Sequence, residues 1–88
     1  MPSTYKLLID DKVIKDLKKI DSIWQKRILK KIKTDLVQNP YKGKRLIGDL
    51  SPFWRIRVGD YRVIYAIEEE IVTIEVIKIK HRKDIYSK

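Results

Sequence analysis

Residues 54–65 read WRIRVGDYRVIY. Apolar and charged residues alternate on both sides of Gly59-Asp60, which predicts two antiparallel strands joined by a two-residue turn. Glycine at the first turn position suits a type II′ hairpin. This register sets Val58 against Tyr61, Arg57 against Arg62 and Ile56 against Val63. Trp54, Ile56 and Val58 then point one way, and Arg55 and Arg57 the other. Like charges facing each other across a hairpin are destabilising, and neither strand holds an acidic residue on that face to neutralise them. Two readings fit. One is a solvated outer face with ion pairs to residues far away in sequence, such as Glu75 on the neighbouring strand. The other is an oxyanion or phosphate site, because a guanidinium is permanently charged and its planar fork matches phosphate oxygens.

The flanking sequence supplies the rest of a domain. Ile71–Lys80 is long and β-branched, as a central strand is, and Lys44–Leu46 reads as a short edge strand ahead of a loop at Gly48–Pro52. Upstream the period changes from 2 to 3.6. Residues 4–9, TYKLLI, are β-prone, and Asp10-Asp11 offers N-cap chemistry. Val13, Ile14, Leu17 and Ile20 mark one face of a first helix, with lysines opposite. Ser22 and Gln25 carry the capping-box signature of a second helix, from about Ile23 to Val37. Trp24, Ile28, Ile32 and Leu36 form its apolar stripe, and Asn39-Pro40 ends it. The order is β-α-α-β-β-β-β. A helix hairpin covers only one face of so small an antiparallel-rich sheet, so the expected fold is a two-layer α+β domain with one bare sheet face.

At 88 residues the chain is expected to be one domain, residues 1–88. It has no cysteine and one histidine, His81, so a thiolate zinc site, a disulfide framework and a histidine metal cage are excluded, and no metal or other cofactor is expected. No apolar run approaches the roughly 20 residues that span a bilayer, and the N-terminal residues lack a signal-peptide layout, so no membrane partner and a cytoplasmic location are expected. The net charge is +9. Positive charge gathers in residues 12–33, 42–62 and 78–88, whereas residues 63–77 are acidic. Clustering of this kind points to a polyanion partner, nucleic acid or a strongly acidic protein. A thermophile-type charged surface accounts for lysines on helices, but not for arginines in strands. The C-terminal stretch KIKHRKDIYSK, residues 78–88, adds Lys78, Lys80, His81, Arg82, Lys83 and Tyr86 near one edge of the same sheet.

WRIRVGDYRVIY, followed after an acidic turn by a β-rich run ending in HRKDIY, resembles the RelE/ParE superfamily of toxin–antitoxin toxins. The resemblance covers nearly the whole chain, including the lysine-rich helix hairpin, the Asn39-Pro40 break and KRLIGDL at residues 44–50. A RelE-like identity implies an mRNA interferase, an endoribonuclease that enters the ribosomal A site and cleaves mRNA by attack of a ribose 2′-oxygen. The products are a 2′,3′-cyclic phosphate and a 5′-hydroxyl. It also implies a RelB-like antitoxin partner. Carried over by motif, the functional side chains are Arg55, Arg57, Arg62, Lys80, Arg82 and Tyr86. Lys44, Arg45, Lys78 and Lys83 join Lys80 as phosphate-binding residues. His81 lies in the same motif and is the one side chain whose ordinary pKa is near neutrality, which makes it the candidate for proton transfer. Where this chain has Arg55 and Arg57, the best-known RelE pattern has lysines, one of them a proposed general base. Arginine does not release its proton in a protein, so that role does not transfer. The alternative within the superfamily is a ParE-like toxin, which binds and inhibits DNA gyrase without cleaving RNA. A third reading is a degenerate toxin that acts only as a basic binding module.

Overall fold

The computed structural model describes residues 4–46 and 53–83. The elements are β1 (Lys6–Ile9), α1 (Asp11–Lys18), α2 (Ser22–Lys31) with a π-helical turn over Ile32–Leu36, a 3-10 turn at Pro40–Lys42, β2 (Lys44–Arg45), β3 (Phe53–Val58), β4 (Tyr61–Glu68), a 3-10 turn at Glu69–Ile71, and β5 (Thr73–His81). The sheet order is β1-β5-β4-β3-β2. β1 runs parallel to β5 and the other pairs are antiparallel. The result is the expected α+β two-layer domain, with a mixed sheet. The expected loop at Gly48–Pro52 lies outside the described residues.

Both helices are built for one apolar seam. Asp10 caps α1, its carboxylate accepting from the Lys12 N–H at 3.3 Å. Val13 and Leu17, one turn apart, are buried against β5. Ile14, expected on this seam, is 38% exposed. A two-turn helix that lays Val13 and Leu17 directly on β5 leaves Ile14, one step round, at its flank. The expected capping box at Ser22 also does not form. Asp21 occupies the N-cap and Ser22 is already helical, so Gln25 falls one position too late. Its Nε2 instead donates to the Ile20 carbonyl at 2.9 Å. Ile28, Ile32 and Leu36 are fully buried and Trp24 packs partly buried beside them. Within the π turn the Val37 N–H reaches the Ile32 carbonyl, five residues back, at 3.1 Å. The Thr34 hydroxyl donates to the Lys30 carbonyl at 2.7 Å, a side-chain bond of the sort that loosens a helical ladder.

The β3–β4 hairpin has the expected register, with Arg57 opposite Arg62 and Val58 opposite Tyr61. Gly59 has φ +60 while Asp60 does not enter the left-handed region, as a type II′ turn requires. The Trp24 ring lies against Gly59 so closely that a Cβ there would overlap it. Across the core, fully buried Tyr65 donates its hydroxyl to the Pro40 carbonyl at 2.6 Å. Burial pushes this phenol up to about 12. Gly43 passes so near the Tyr65 hydroxyl and the Arg55 carbonyl that any side chain there would collide.

At the opposite end of the sheet, Tyr5 and Tyr41 both donate to the carboxylate of Glu69, Tyr5 at 2.5 Å. The two phenols hold the Glu69 carboxyl below its ordinary range, Tyr41 first, and the carboxylate pushes Tyr41 up to about 12. A carboxyl depressed on folding contributes stability above its unfolded pKa, and that contribution is lost as pH falls through the folded pKa. Urea midpoints of the wild type are therefore expected to fall with acidification through the carboxylate range more steeply than those of Glu69→Gln; parallel profiles would contradict the clasp. Just beyond, Val72 is left-handed at φ 47, a conformation that costs a β-branched residue about 1–2 kcal/mol. It is held by its N–H to Glu69 and its carbonyl to the Lys6 N–H at 2.8 Å. Val72→Gly is expected to raise stability by about 1 kcal/mol, or roughly 4–8 °C in Tm. A lower melting temperature would contradict the strain.

Candidate functional site

Strand alternation and register place the basic residues in two rows across the sheet face that the helices leave bare. One row is Arg57, Arg62 and Lys80 on β3, β4 and β5. The next is Lys44, Arg55, Ile64 and Lys78, extending to β2. Strands lie about 4.8 Å apart, so the cations of a row are nearest neighbours. Arg55, Arg62 and Lys80 are half-buried, and Arg57, Lys44 and Lys78 are exposed.

The two lysines of β5 owe their orientation to a β-bulge. Tyr65 pairs with Val76 but Ile64 pairs with Lys78, leaving Ile77 as an extra residue. Unbroken pairing would set Ile79 opposite Arg62 and turn Lys78 and Lys80 into the core. The bulge resets the alternation, so Ile79 is buried and the lysines emerge beside the arginines. Glu75, the expected counter-ion, lies on the far side of the bulge in the row of Phe53, Ala66 and Leu8. Among the described residues the ion pairs are those of Asp35 with Lys31 and Lys42, not of the arginine face.

Two expected residues stand apart from these rows. Arg45 pairs with Trp54 and so belongs to the other side of β2. His81 pairs with Tyr61, on the helix side, because it follows Lys80 in the alternation. Its ring meets Tyr61 edge-on at 4.9 Å, and its Nδ1 accepts the Lys83 N–H at 3.0 Å. The neutral ring therefore carries its proton on Nε2. His81 lines a cleft of about 530 Å³ with Asp16, Lys19, Asp21 and Tyr61. Arg82 and Lys83 are exposed just beyond β5, and the Arg82 N–H bonds the Asp60 carbonyl at 2.7 Å, tying the end of β5 to the hairpin turn. Tyr86 lies outside the described residues.

Sequence reasoning missed Lys31 and Lys42. They meet at Asp35, whose carboxyl they hold below its ordinary range, Lys31 first, and they border a second cleft, of about 330 Å³, with Lys44, Arg55 and Arg57. Only the folded chain brings the end of α2 and the Pro40 turn to the edge of β3, so no local pattern marked them.

Two helices on one side of this five-stranded mixed sheet define a RelE-like toxin fold. A chain of the toxin–antitoxin complex RelBE2 from Mycobacterium tuberculosis superposes with a TM-score of 0.85 at 25% identity, over 93% of this chain and 95% of that one. A chain of the archaeal RelE–RelB complex from Pyrococcus horikoshii gives 0.74 at 30% identity, over 90% and 96%. The family model for the ParE toxin of the type II toxin–antitoxin system parDE matches residues 7–86, and the chain belongs to this family, within the RelE/ParE superfamily. Toxin RelG of Mycobacterium tuberculosis is 38% identical over 53 residues, 59% of this chain and 61% of RelG. Toxin RelE of the same organism is 42% identical over 52 residues, 58% of this chain and 54% of RelE. The matched segment thus spans less than two thirds of either curated relative.

The juxtaposed arginines make a prediction about stability. Removing one cation of a like-charged cross-strand pair relieves repulsion of about 0.2–1 kcal/mol. Arg62→Gln is expected to raise the urea midpoint at low ionic strength, with the gain shrinking in high salt as screening takes over. A variant destabilised at every salt concentration would show that Arg62 holds the sheet rather than burdening it.

Proposed function

We propose that this type II toxin is an endoribonuclease that cleaves mRNA in the ribosomal A site. The observation that carries the reading is the row Arg57–Arg62–Lys80, backed by Arg55, Lys44 and Lys78, on a face whose two basic rows contain no carboxylate among the described residues. Such a face is unfavourable by itself and favourable around a phosphate.

In the reaction a ribose 2′-oxygen attacks the adjacent phosphorus in line. The bond to the 5′-oxygen breaks, giving a 2′,3′-cyclic phosphate and a 5′-hydroxyl. Charge builds on the non-bridging phosphoryl oxygens, where Arg57 and Arg62 donate paired N–H groups and Lys80 adds a point charge. Arg55 supports the pair from the next row. Lys78 and Lys44 extend the charged track, Arg82 and Lys83 grip the flanking backbone, and Tyr86 stacks on a nucleotide. His81 and Arg45 are left out of this set, because they face the helix side of the sheet. The arginines of the basic rows cannot act as a base, so they work by positioning and charge stabilisation, and the 2′-proton passes to water or to the ribosome.

The antitoxin follows from the same charge. We infer a RelB-like partner that covers the basic face in the cytoplasm, where translated mRNA is met; the two structural neighbours named above are themselves chains of RelB–RelE type complexes. Among the described residues no helix is long and apolar enough to cross a membrane.

Expression of the wild type is expected to arrest growth and to give codon-spaced breaks in mRNA by primer extension. Arg62→Ala is expected to abolish both while remaining folded, since loss of one charge-stabilising donor costs about 10²–10³ in rate. Full toxicity of Arg62→Ala would remove the site assignment. DNA damage with intact mRNA would assign the chain to gyrase inhibition instead.

A further inference from the structure

The cleft at the β2–β3 edge, about 330 Å³, is more than a gap in packing. Its walls are Lys31 from the end of α2, Lys42 and Lys44 on either side of Gly43, and Arg55 and Arg57 from β3, over a floor of Ile56. Five cations thus line the cleft, and Asp35 pairs with two of them. The Asp35 Oδ2 lies 3.0 Å from Lys31 Nζ and 3.3 Å from Lys42 Nζ, yet those side chains stay 37% and 53% exposed. Asp35 sets the two ammonium groups side by side without cancelling both.

Like charges are crowded here because the backbone is fixed. Gly43 is pinned against the Arg55 carbonyl and the Tyr65 hydroxyl, and Tyr65 is bonded to Pro40. Lys42 and Lys44 therefore cannot retreat from β3. Arg55 and Arg57 belong both to the cleft and to the basic rows, so positive charge runs unbroken from Lys80 through Arg62 and Arg57, over the sheet edge, to Lys42 and Lys31.

We propose that this cleft is a second phosphate subsite, which takes a backbone phosphate of the RNA flanking the one held by Arg57 and Arg62, with Lys31, Lys42 and Lys44 as its ligands. The proposal rests on the reading of the arginine face as an RNA site. A polynucleotide fits better than a small anion, since the cations form a continuous track and a single small ion would engage only one part of it. Ammonium groups on flexible stems act as point charges on phosphate and read no base. The subsite therefore adds affinity without sequence preference.

The test is equilibrium binding of the purified protein to a single-stranded 2′-O-methyl oligoribonucleotide, which lacks the attacking hydroxyl and is not cleaved. Binding is measured from about 50 to 200 mM salt. Each phosphate contact contributes about 0.7 to the slope of log K against log salt for single strands. Loss of this one phosphate contact in the double variant Lys31→Gln/Lys42→Gln is expected to lower the slope by about 0.7. Lys12→Gln/Lys15→Gln, an equal charge loss on the outer face of α1, is expected to leave it unchanged. Arg62→Ala separates the two levels of the argument. A reduced slope for Arg62→Ala with an unchanged slope for the cleft variant overturns the subsite and leaves the RNA face standing. Unchanged slopes for both overturn both. Equal losses for the cleft and α1 variants reduce the cleft to general surface charge and also overturn the subsite.

Discussion

One extra residue, Ile77, decides what the sheet presents to its surroundings. A β-strand has two faces and no third choice, so a one-residue insertion exchanges every side chain beyond it. Before the bulge, Ile74 and Val76 face the helices. After it, Ile79 keeps that role and Lys78 and Lys80 join the arginines. Without the reset, two ammonium groups would enter the core and an isoleucine would sit opposite Arg62. A single local irregularity therefore sustains both the apolar layer and the charged one, and it also sets His81 apart from them.

The helical layer holds the charged face in place from behind. Trp24 packs on Gly59, and Tyr65 reaches through the core to Pro40. These contacts fix the two ends of β3 from which Arg55 and Arg57 project. Repulsion between arginines would otherwise splay the hairpin, so rigidity behind the face is the condition for charge in front of it.

The hairpin and its arginine pairing were legible because WRIRVGDYRVIY alternates without error and Gly59-Asp60 admits a single register. The bulge was not read, although Val76-Ile77 leaves a trace, two adjacent apolar residues in an otherwise alternating strand. The π turn left one too. Trp24, Ile28, Ile32 and Leu36 keep a strict spacing of four, which drifts about 40° per step on a helix of 3.6 residues per turn; a turn closed by i→i+5 bonds absorbs that drift and returns Leu36 to the sheet. Ser22 looked like a cap because its chemistry is right, but the helix starts one residue earlier than that reading requires, with Asp21 at the N-cap and no side-chain cap bond from it. The sides taken by Arg45 and His81, and the meeting of Lys31 with Lys42, depend on pairings between distant segments that no local pattern encodes.

The acidic turn gains meaning from where it lies. β4 begins at Arg62 and ends at Glu68, and β5 runs back from Thr73 to Lys80. Glu68, Glu69 and Glu70 therefore sit about 20 Å from the row of Arg57, Arg62 and Lys80, at the far end of the same two strands. Charge separated along one axis makes the molecule a permanent dipole. In the field of a polyanion it experiences a torque before contact, so it turns its basic end inward during diffusion rather than after collision.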